Sequence, residues 1–212
     1  MTNSRIQDNH ADDGANFKNV DNVIIDNTIF QDNFADQIDL DYTSALVTNS
    51  QFLNTKGGDL NGDGLDISGS KVVVTKTSFT GFNDKGISVG ESSDILVMNS
   101  KLHNNRNGAA VKDRSNGYFI DVDYQENVYD IASYMKKRIF GGANVVVQDL
   151  TLNDKLLSLD FDNKSKLFVM TQKPANDVWG LAKQTVNFDA LFVTLGKTPT
   201  QTVRIPATYV EE

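Results

Sequence analysis

The sequence predicts an all-β protein coiled as a right-handed parallel β-helix, in which each turn of the chain stacks on the turn before it. Short apolar runs recur with a polar and an apolar residue at fixed offsets. A second set of short runs begins at Gly64, Gly86 and Gly108, which are 22 residues apart each time. A repeat of this length with Asn/Gly turns is typical of a β-helix, whereas the strands of a β-sandwich keep no fixed register of equivalent residues.

The first set of runs has an apolar, β-rich stretch, then a polar residue, then an apolar residue three positions later. The runs are NVIIDNTIFQDN, ALVTNSQFLNT, KVVVTKTSFTGFN, DILVMNSKLHNN and NGYFIDVDYQEN. The polar column is Asn27, Asn49, Lys76, Asn99 and Asp121, and the apolar column is Phe30, Phe52, Phe79, Leu102 and Tyr124. We predict that the asparagines of the polar column face inward and hydrogen-bond as a ladder between turns. Four other asparagines are predicted to form left-handed or Asx turns: Asn9, Asn33, Asn105 and Asn127.

The second set of runs alternates apolar and polar residues, as a strand with one buried face requires. Stacking equivalent outward positions gives three columns: Asp13, Asp36, Asp63, Lys85 and Asn107; Asn16, Asp39, Asp66, Ser88, Ala110 and Ala132; and Lys18, Asp41, Ser68, Gly90, Lys112 and Tyr134. We therefore expect an exposed strand face on which aspartates of adjacent turns cluster. Lys85, Lys112 and Arg114 should follow one and two turns further along.

This face is the candidate functional site. Equivalent residues of stacked turns lie about 4.8 Å apart, so neighbouring carboxylates should raise each other's pKa or hold a cation between them. A protonated Asp can act as a general acid and a second Asp as a base or nucleophile, and an oxygen-rich cluster can hold Ca²⁺. The alternative is a row of solvated polar side chains. The candidate catalytic residues are Asp39, Asp63, Asp66, Lys112 and Arg114; the candidate substrate-binding residues are Asp36, Asp41, Lys85, Ser88 and Tyr134; the candidate calcium ligands are Asp39, Asp63 and Asp66.

The segment DLNGDGLDIS, from Asp59 to Ser68, resembles the opening of an EF-hand or dockerin-type calcium loop. The twelfth position of such a loop should be acidic, but Ser70 stands there, and the eighth should be apolar, but Asp66 stands there. The segment is better interpreted as a turn followed by a strand.

The repeats between about residues 3 and 143 resemble the PbH1-type right-handed β-helix proteins of the pectate-lyase-like superfamily. This resemblance implies a β-helix of about six regular turns. It also implies a carbohydrate-directed protein, since polysaccharide lyases, hydrolases and epimerases dominate that superfamily. The superfamily also holds non-catalytic surface and adhesive proteins, so the resemblance leaves both classes of function open.

Two segments also partly resemble polygalacturonase motifs. Asn61–Asp66 is similar to their Asn-Thr-Asp-Gly-Ile-Asp segment, which would make Asp63 a catalytic carboxylate, and 85–90 is similar to their His-Gly-Ile-Ser-Ile-Gly. The departures are substantial, because Lys85 replaces the His, Ala110 replaces an Arg, and the intervening Asp-Asp turn is missing. They argue against polygalacturonase activity.

The sequence thus leaves two functions. One is an extracellular protein that binds, and as an enzyme cleaves, a polysaccharide or cell-surface glycan as a lyase, hydrolase or epimerase, with Ca²⁺ as the candidate cofactor. The other is a non-catalytic surface solenoid that binds a glycan or a protein. The net charge of −8 argues against nucleic acid as a partner. No apolar run is long enough to predict membrane insertion, and the polar N-terminal residues contain no signal peptide. A secreted protein would then be a trimmed piece of a longer chain with further domains.

The C-terminal third differs from the repeats. We predict a β-helix over residues 1–147 and an irregular β-rich extension or cap over 148–212. Five segments have the composition of strands: NVVVQDLTL, KLLSLDF, KLFVMT, DALFVTLG and TVRIPATYV. Asp177–Lys183 is the candidate for a short helix or lid-like loop, in which Trp179 could stack on a sugar but is better interpreted as buried.

Overall fold

A computed structural model describes residues 1–57, 62–152, 155–172 and 187–204. These residues form short strands and the helix α1 (Phe188–Leu195). The strands in chain order are β1 (Arg5–Gln7), β2 (Asn16–Lys18), β3 (Val23–Asp26), β4 (Ile29–Gln31), β5 (Ile38–Asp41), β6 (Ser44–Thr48), β7 (Gln51–Leu53), β8 (Leu65–Ser68), β9 (Lys71–Thr75), β10 (Ser78–Thr80), β11 (Lys85–Gly90), β12 (Asp94–Met98), β13 (Lys101–His103), β14 (Asn107–Lys112), β15 (Asn116–Ile120), β16 (Asp123–Gln125), β17 (Tyr129–Tyr134), β18 (Asn144–Val147), β19 (Thr151–Leu152), β20 (Lys155–Leu156), β21 (Leu159–Phe161), β22 (Lys166–Met170) and β23 (Thr200–Val203).

The chain winds as a right-handed parallel β-helix of about seven turns, as the repeats predict. Three sheets run along the coil. Sheet I is β1-β4-β7-β10-β13-β16, sheet II is β2-β5-β8-β11-β14-β17-β21, and sheet III is β3-β6-β9-β12-β15-β18-β22-β23. Pairing is parallel within the coil, and antiparallel pairing occurs between β22 and β23 and between β19 and β20. Every third strand therefore stacks on its equivalent one turn earlier.

The core is the stack of inward-facing apolar residues. Phe52 lies between the rings of Phe30 and Phe79, with ring centroids 5.0 Å and 4.5 Å away. Leu102 and Tyr124 continue this column in sheet I. The predicted apolar column is therefore confirmed in register.

The two asparagine columns have the opposite roles from those predicted. The polar column is exposed at a corner of the coil, and Asn27, Lys76, Asn99 and their equivalents have left-handed φ of 48 to 51°. One hydrogen bond of the predicted ladder, from Asn27 Nδ2 to Asn3 Oδ1 at 2.7 Å, lies at the surface. The residues that follow this column are buried and carry hydroxyls: Thr28, Ser50, Thr77 and Ser100. The hydroxyls of Ser50, Thr77 and Ser100 accept the backbone N–H of the equivalent residue one turn earlier.

Among the turn asparagines, Asn9 forms the predicted Asx turn by accepting the backbone N–H of Ala11 at 3.3 Å, but the others form the inward ladder instead. Asn33 and Asn105 are buried, and their side-chain oxygens accept the backbone N–H groups of Asn9 and Phe82. The Asn105 side chain also donates to the backbone oxygen of Phe79 at 3.2 Å and to Asn127 Oδ1. A buried amide is suited to this place because it satisfies backbone groups that the corner leaves unpaired.

Parallel stacking continues past residue 147, since β21 pairs with β17 and β22 with β18. The prediction of a strand for DALFVTLG is wrong, because its residues 189–195 belong to α1 and Gly196 is the C-cap of that helix. The Asn187 side chain caps α1 by accepting from Ala190 N. The buried face of α1 packs on outward residues of sheet III such as Leu96 and Val146. TVRIPATYV begins in β23, but its residues from 205 onward, like Asp177–Lys183 and Trp179, lie outside the described residues.

Candidate functional site

The outward face of sheet II has the predicted register. Asp39 is the register partner of Asp66, Asp66 of Ser88, and Ser88 of Ala110. Asn16 precedes Asp39 in the same column, and its Nδ2 donates to Asp39 Oδ2 at 2.6 Å. The alternation of strands β5 and β8 places these side chains outward, because Ile38, Leu40, Leu65 and Ile67 point into the core.

The column at the start of these strands forms a chain of carboxylate caps. Asp13 Oδ1 accepts the backbone N–H of Asp36 at 3.1 Å, and Asp36 Oδ1 accepts that of Asp63 at 2.6 Å. Asp63 Oδ1 in turn accepts the backbone N–H of Lys85 at 3.1 Å. Each carboxylate thus satisfies a corner N–H of the next turn, which is a structural role that sequence reasoning did not assign.

Lys85 is held by two carboxylates. Its Nζ lies 3.3 Å from Asp63 Oδ1 and also contacts Asp84 Oδ2. Lys85 and Asp63 are both buried, so the pair is shielded from water. Burial disfavours the ammonium, but the two carboxylates outweigh it and raise the pKa of Lys85. Asp84, which sequence reasoning did not single out, stands directly before Lys85 and carries part of this charge.

Lys112 is buried without such a partner. Only 5% of the residue is exposed, and its Nζ donates to Ser88 Oγ at 2.7 Å. Among the described residues it forms no salt bridge. Burial lowers the pKa of Lys112, and the more distant Asp66 opposes that shift. The prediction of an exposed face is wrong for the half formed by β11 and β14, because Ser88, Ala110 and Lys112 are outward in register but buried.

Three carboxyl groups of the acidic half of the face, those of Asp36, Asp39 and Asp63, have raised pKa values. Burial raises the pKa of Asp36 to about 8 and that of Asp39 to about 7, and neighbouring aspartates add to both shifts. Burial also raises the pKa of Asp63 to about 6, against the attraction of Lys85. The predicted direction is confirmed, but desolvation contributes more than the mutual repulsion from which it was predicted.

The remaining candidates lie at the edges of the face. Asp41 Oδ2 forms a salt bridge with Lys18 at 3.0 Å. Tyr134 is the register partner of Lys112 in β17. Arg114 lies at the corner after β14 with a left-handed φ of 62°, and its Nε donates to the backbone oxygen of Phe140 at 3.0 Å. Arg114 is therefore held at this corner by the backbone of Phe140, a contact that the charge pattern of the sequence does not indicate.

The described residues contain no group of three or more His, Cys, Asp or Glu that could hold a metal ion. At Asp63 the ammonium of Lys85 takes the position of a counter-cation. Calcium at Asp39, Asp63 and Asp66 therefore stays a prediction, and residues 58–61 of the loop-like segment lie outside the described part of the chain.

A family described as "Right handed beta helix region" matches residues 1–149. The chain belongs to this β-helix family. Among curated proteins no sequence matches the chain. One similar solved structure is that of full-length tailspike protein 2 (TSP2, ORF211) from Escherichia coli O157:H7 bacteriophage CAB120, with 16% identity and a TM-score of 0.53. The match covers 69% of this chain but 22% of the tailspike chain, so it supports the β-helix fold and not an activity. Within its described residues this β-helix chain has no helix long and apolar enough to cross a membrane.

Proposed function

We propose that this β-helix protein is carbohydrate-directed and binds a glycan along the outward face of sheet II, with Asp39 and Asp66 as the residues that would carry chemistry. The observation behind the proposal is the pairing of these two carboxyl groups as register neighbours on the outward face. Asp39 is half-buried with a pKa raised to about 7, so near neutral pH it carries a proton part of the time. A general acid needs that combination of reach and pKa.

The acidic half of the face suits a chain of hydroxyl-bearing units. Asn16, Asp39 and Asp66 repeat once per turn along the coil axis and offer amide and carboxyl groups that donate to and accept from sugar hydroxyls. The family resemblance to pectate-lyase-like proteins points to the same ligand class. Secretion and a longer natural chain stay predictions.

For cleavage, Asp39 would donate its proton to the glycosidic oxygen as the bond to the anomeric carbon breaks. Asp66 would activate a water or attack that carbon from the other side. This arrangement favours hydrolysis over lyase or epimerase action. The bases predicted for those reactions are less available, because Lys112 is buried and the Arg114 side chain is hydrogen-bonded to the backbone oxygen of Phe140.

A non-catalytic glycan-binding solenoid is the second candidate, and a specific observation favours it. Much of the predicted catalytic set already has internal partners. Asp63 accepts the backbone N–H of Lys85 and forms a salt bridge with its ammonium, and the Lys112 ammonium donates a hydrogen bond to Ser88. Such contacts stabilise a corner and a strand face without any substrate.

Incubation with a panel of plant, algal and bacterial polysaccharides, with and without Ca²⁺, distinguishes these functions. New reducing ends that are lost in Asp39→Asn and Asp66→Asn but kept in Asp21→Asn, an exposed aspartate away from the face, would support hydrolysis. Unsaturated uronate absorbance that requires Ca²⁺ would instead make the protein a lyase. Glycan-array binding without cleavage would support the non-catalytic role. The absence of both binding and cleavage across the panel would overturn the carbohydrate proposal.

A further inference from the structure

A cavity of about 90 Å³ lies where sheet I ends. β16 is the last strand of sheet I, and after β18 the chain forms the antiparallel pair β19–β20 instead of another sheet I strand. The inward apolar column of sheet I ends at the same place, with Tyr124 as its last member. The cavity therefore opens at the point where the repeat stops stacking on itself.

Two buried polar atoms of the cavity lining have no hydrogen-bond partner among the described residues: Tyr124 Oη and Gln148 Oε1. Gln148 is held from its other end, since its Nε2 donates to Asp149 Oδ2 at 3.1 Å. Burial raises the pKa of the Tyr124 hydroxyl well above its usual range, so the hydroxyl keeps its proton. A buried polar atom without a hydrogen-bond partner is destabilising, and two at one cavity indicate that something fills it.

The chemistry of the lining restricts the occupant. Tyr124 offers a proton and Gln148 Oε1 needs one, so the occupant must both accept and donate, as a pair of hydroxyl groups does. Asp121 and Asp149 line the cavity, together with apolar Phe119 and Val147, and its described lining contains no lysine, arginine or histidine. That charge disfavours an anion, while the apolar walls suit C–H groups.

We propose that this cavity binds a small neutral polyol, free or as the vicinal-diol edge of a sugar, with one hydroxyl accepting from Tyr124 Oη and the other donating to Gln148 Oε1. The size agrees, because about 90 Å³ is several times the roughly 10–15 Å³ of cavity volume that one water needs. This site lies between sheets I and III and does not depend on the glycan face of sheet II.

Tyr124→Phe is the decisive variant. Phe30, Phe52 and Phe79 occupy the equivalent place in other turns, so a phenylalanine is compatible with the fold here. Gln148→Leu removes the acceptor at similar size. Tyr118→Phe, which deletes the hydroxyl of a tyrosine that packs against Phe192 of α1, is the matched control.

The measurement is saturation-transfer NMR with glycerol and, separately, with methyl α-glucoside. We expect transfer to the probe in the wild type and in Tyr118→Phe, and a loss of at least about five-fold in Tyr124→Phe and Gln148→Leu, as expected when a buried hydrogen bond of the ligand is removed. Transfer to glycerol alone would assign a free polyol, and transfer to both probes a sugar edge. The proposal is overturned if transfer is absent from the wild type or equal in Tyr124→Phe. In that case the thermal midpoint separates the reasons: a fall in Tyr124→Phe means that the cavity holds only water, and a rise means that it is empty.

Discussion

The ammonium of Lys112 lies 2.7 Å from the hydroxyl oxygen of Ser88, one turn earlier in the coil, with 5% of the lysine exposed. The stem of Lys112 thus lies over the outward face of sheet II instead of extending into water. Lys85 does the same one turn earlier, but its ammonium meets Asp63 and Asp84. Two lysines in similar places therefore have different electrostatic surroundings, and their effects on stability should differ.

Lys112 should make stability rise with pH. Because burial lowers its pKa in the folded protein, the unfolded chain binds more protons between the folded pKa and the unfolded value, and the free energy of unfolding increases with pH in that window. We expect the free energy of unfolding of the wild type, relative to that of Lys112→Met, to increase as pH rises towards about 10, the ordinary pKa of a lysine. Urea denaturation at several pH values measures this, with Lys101→Met as the exposed-lysine control. If the difference in the free energy of unfolding between the wild type and Lys112→Met did not change with pH, burial would not lower the pKa of Lys112.

The Asp63–Lys85 pair should be costly to break from one side. Asp63→Ala leaves Lys85 with one carboxylate and removes the acceptor of its backbone N–H. Loss of one partner of a buried pair costs about 3–5 kcal/mol, and we expect about 3 kcal/mol here, since Asp84 remains. Asp63→Asn should cost less, because an amide oxygen can still accept that N–H. Urea denaturation of both variants is the check, and equal losses would contradict the capping role of Asp63.

The acidic half of the face should make the protein more stable in mild acid. The pKa of Asp36 is raised to about 8, so as pH falls through that value the folded state takes up a proton that the unfolded state does not, and stability is lost again as pH rises. Asp36→Asn keeps the acceptor for Asp63 N–H without the charge. We expect the wild type to gain at least about 1 kcal/mol relative to Asp36→Asn between about pH 8 and pH 5, since one pKa unit corresponds to about 1.4 kcal/mol.

Chemical denaturation between about pH 8 and pH 5 tests this gain of the wild type over Asp36→Asn, with Asp21→Asn as the control for an exposed carboxylate. A wild type that weakens towards acid relative to Asp36→Asn would show that this carboxylate is stabilised, not desolvated, in the fold.

The register of the coil is predictable from sequence because equivalent residues repeat. The spacing of Gly64, Gly86 and Gly108 places Asp66, Ser88 and Ala110 in one column, and the structure pairs them so. Side-chain direction beyond the strand is not encoded in the repeat. Whether Lys112 extends or folds onto Ser88, and whether Arg114 reaches the aspartates or Phe140, depends on neighbours that only the folded coil brings together.

The helix α1 could have been found from a signal in sheet III. KVVVT and DILVM are apolar at successive positions, which indicates a strand buried on both faces, so something had to cover the outer one. Local composition gave the wrong assignment for 189–196, because Phe, Val and Thr favour strands on average. The Asn187 cap and the packing of Leu191 and Phe192 on sheet III stabilise a helix here instead.

Substitutions in the two asparagine columns should have different effects on stability, because the column predicted to be inward is exposed and turn asparagines such as Asn105 are buried. The side chain of buried Asn105 accepts from Phe82 N–H and donates to the Phe79 carbonyl and to Asn127 Oδ1, so Asn105→Ala removes three hydrogen bonds. At about 1 kcal/mol for each hydrogen bond, we expect a loss of about 3 kcal/mol. Asn99 is exposed with φ of 48°, a conformation that glycine adopts without strain, so Asn99→Gly should change stability by less than about 0.5 kcal/mol. Urea denaturation compares the two directly. Similar losses in both variants would mean that the exposed column also carries a stabilising ladder, as the repeat first suggested.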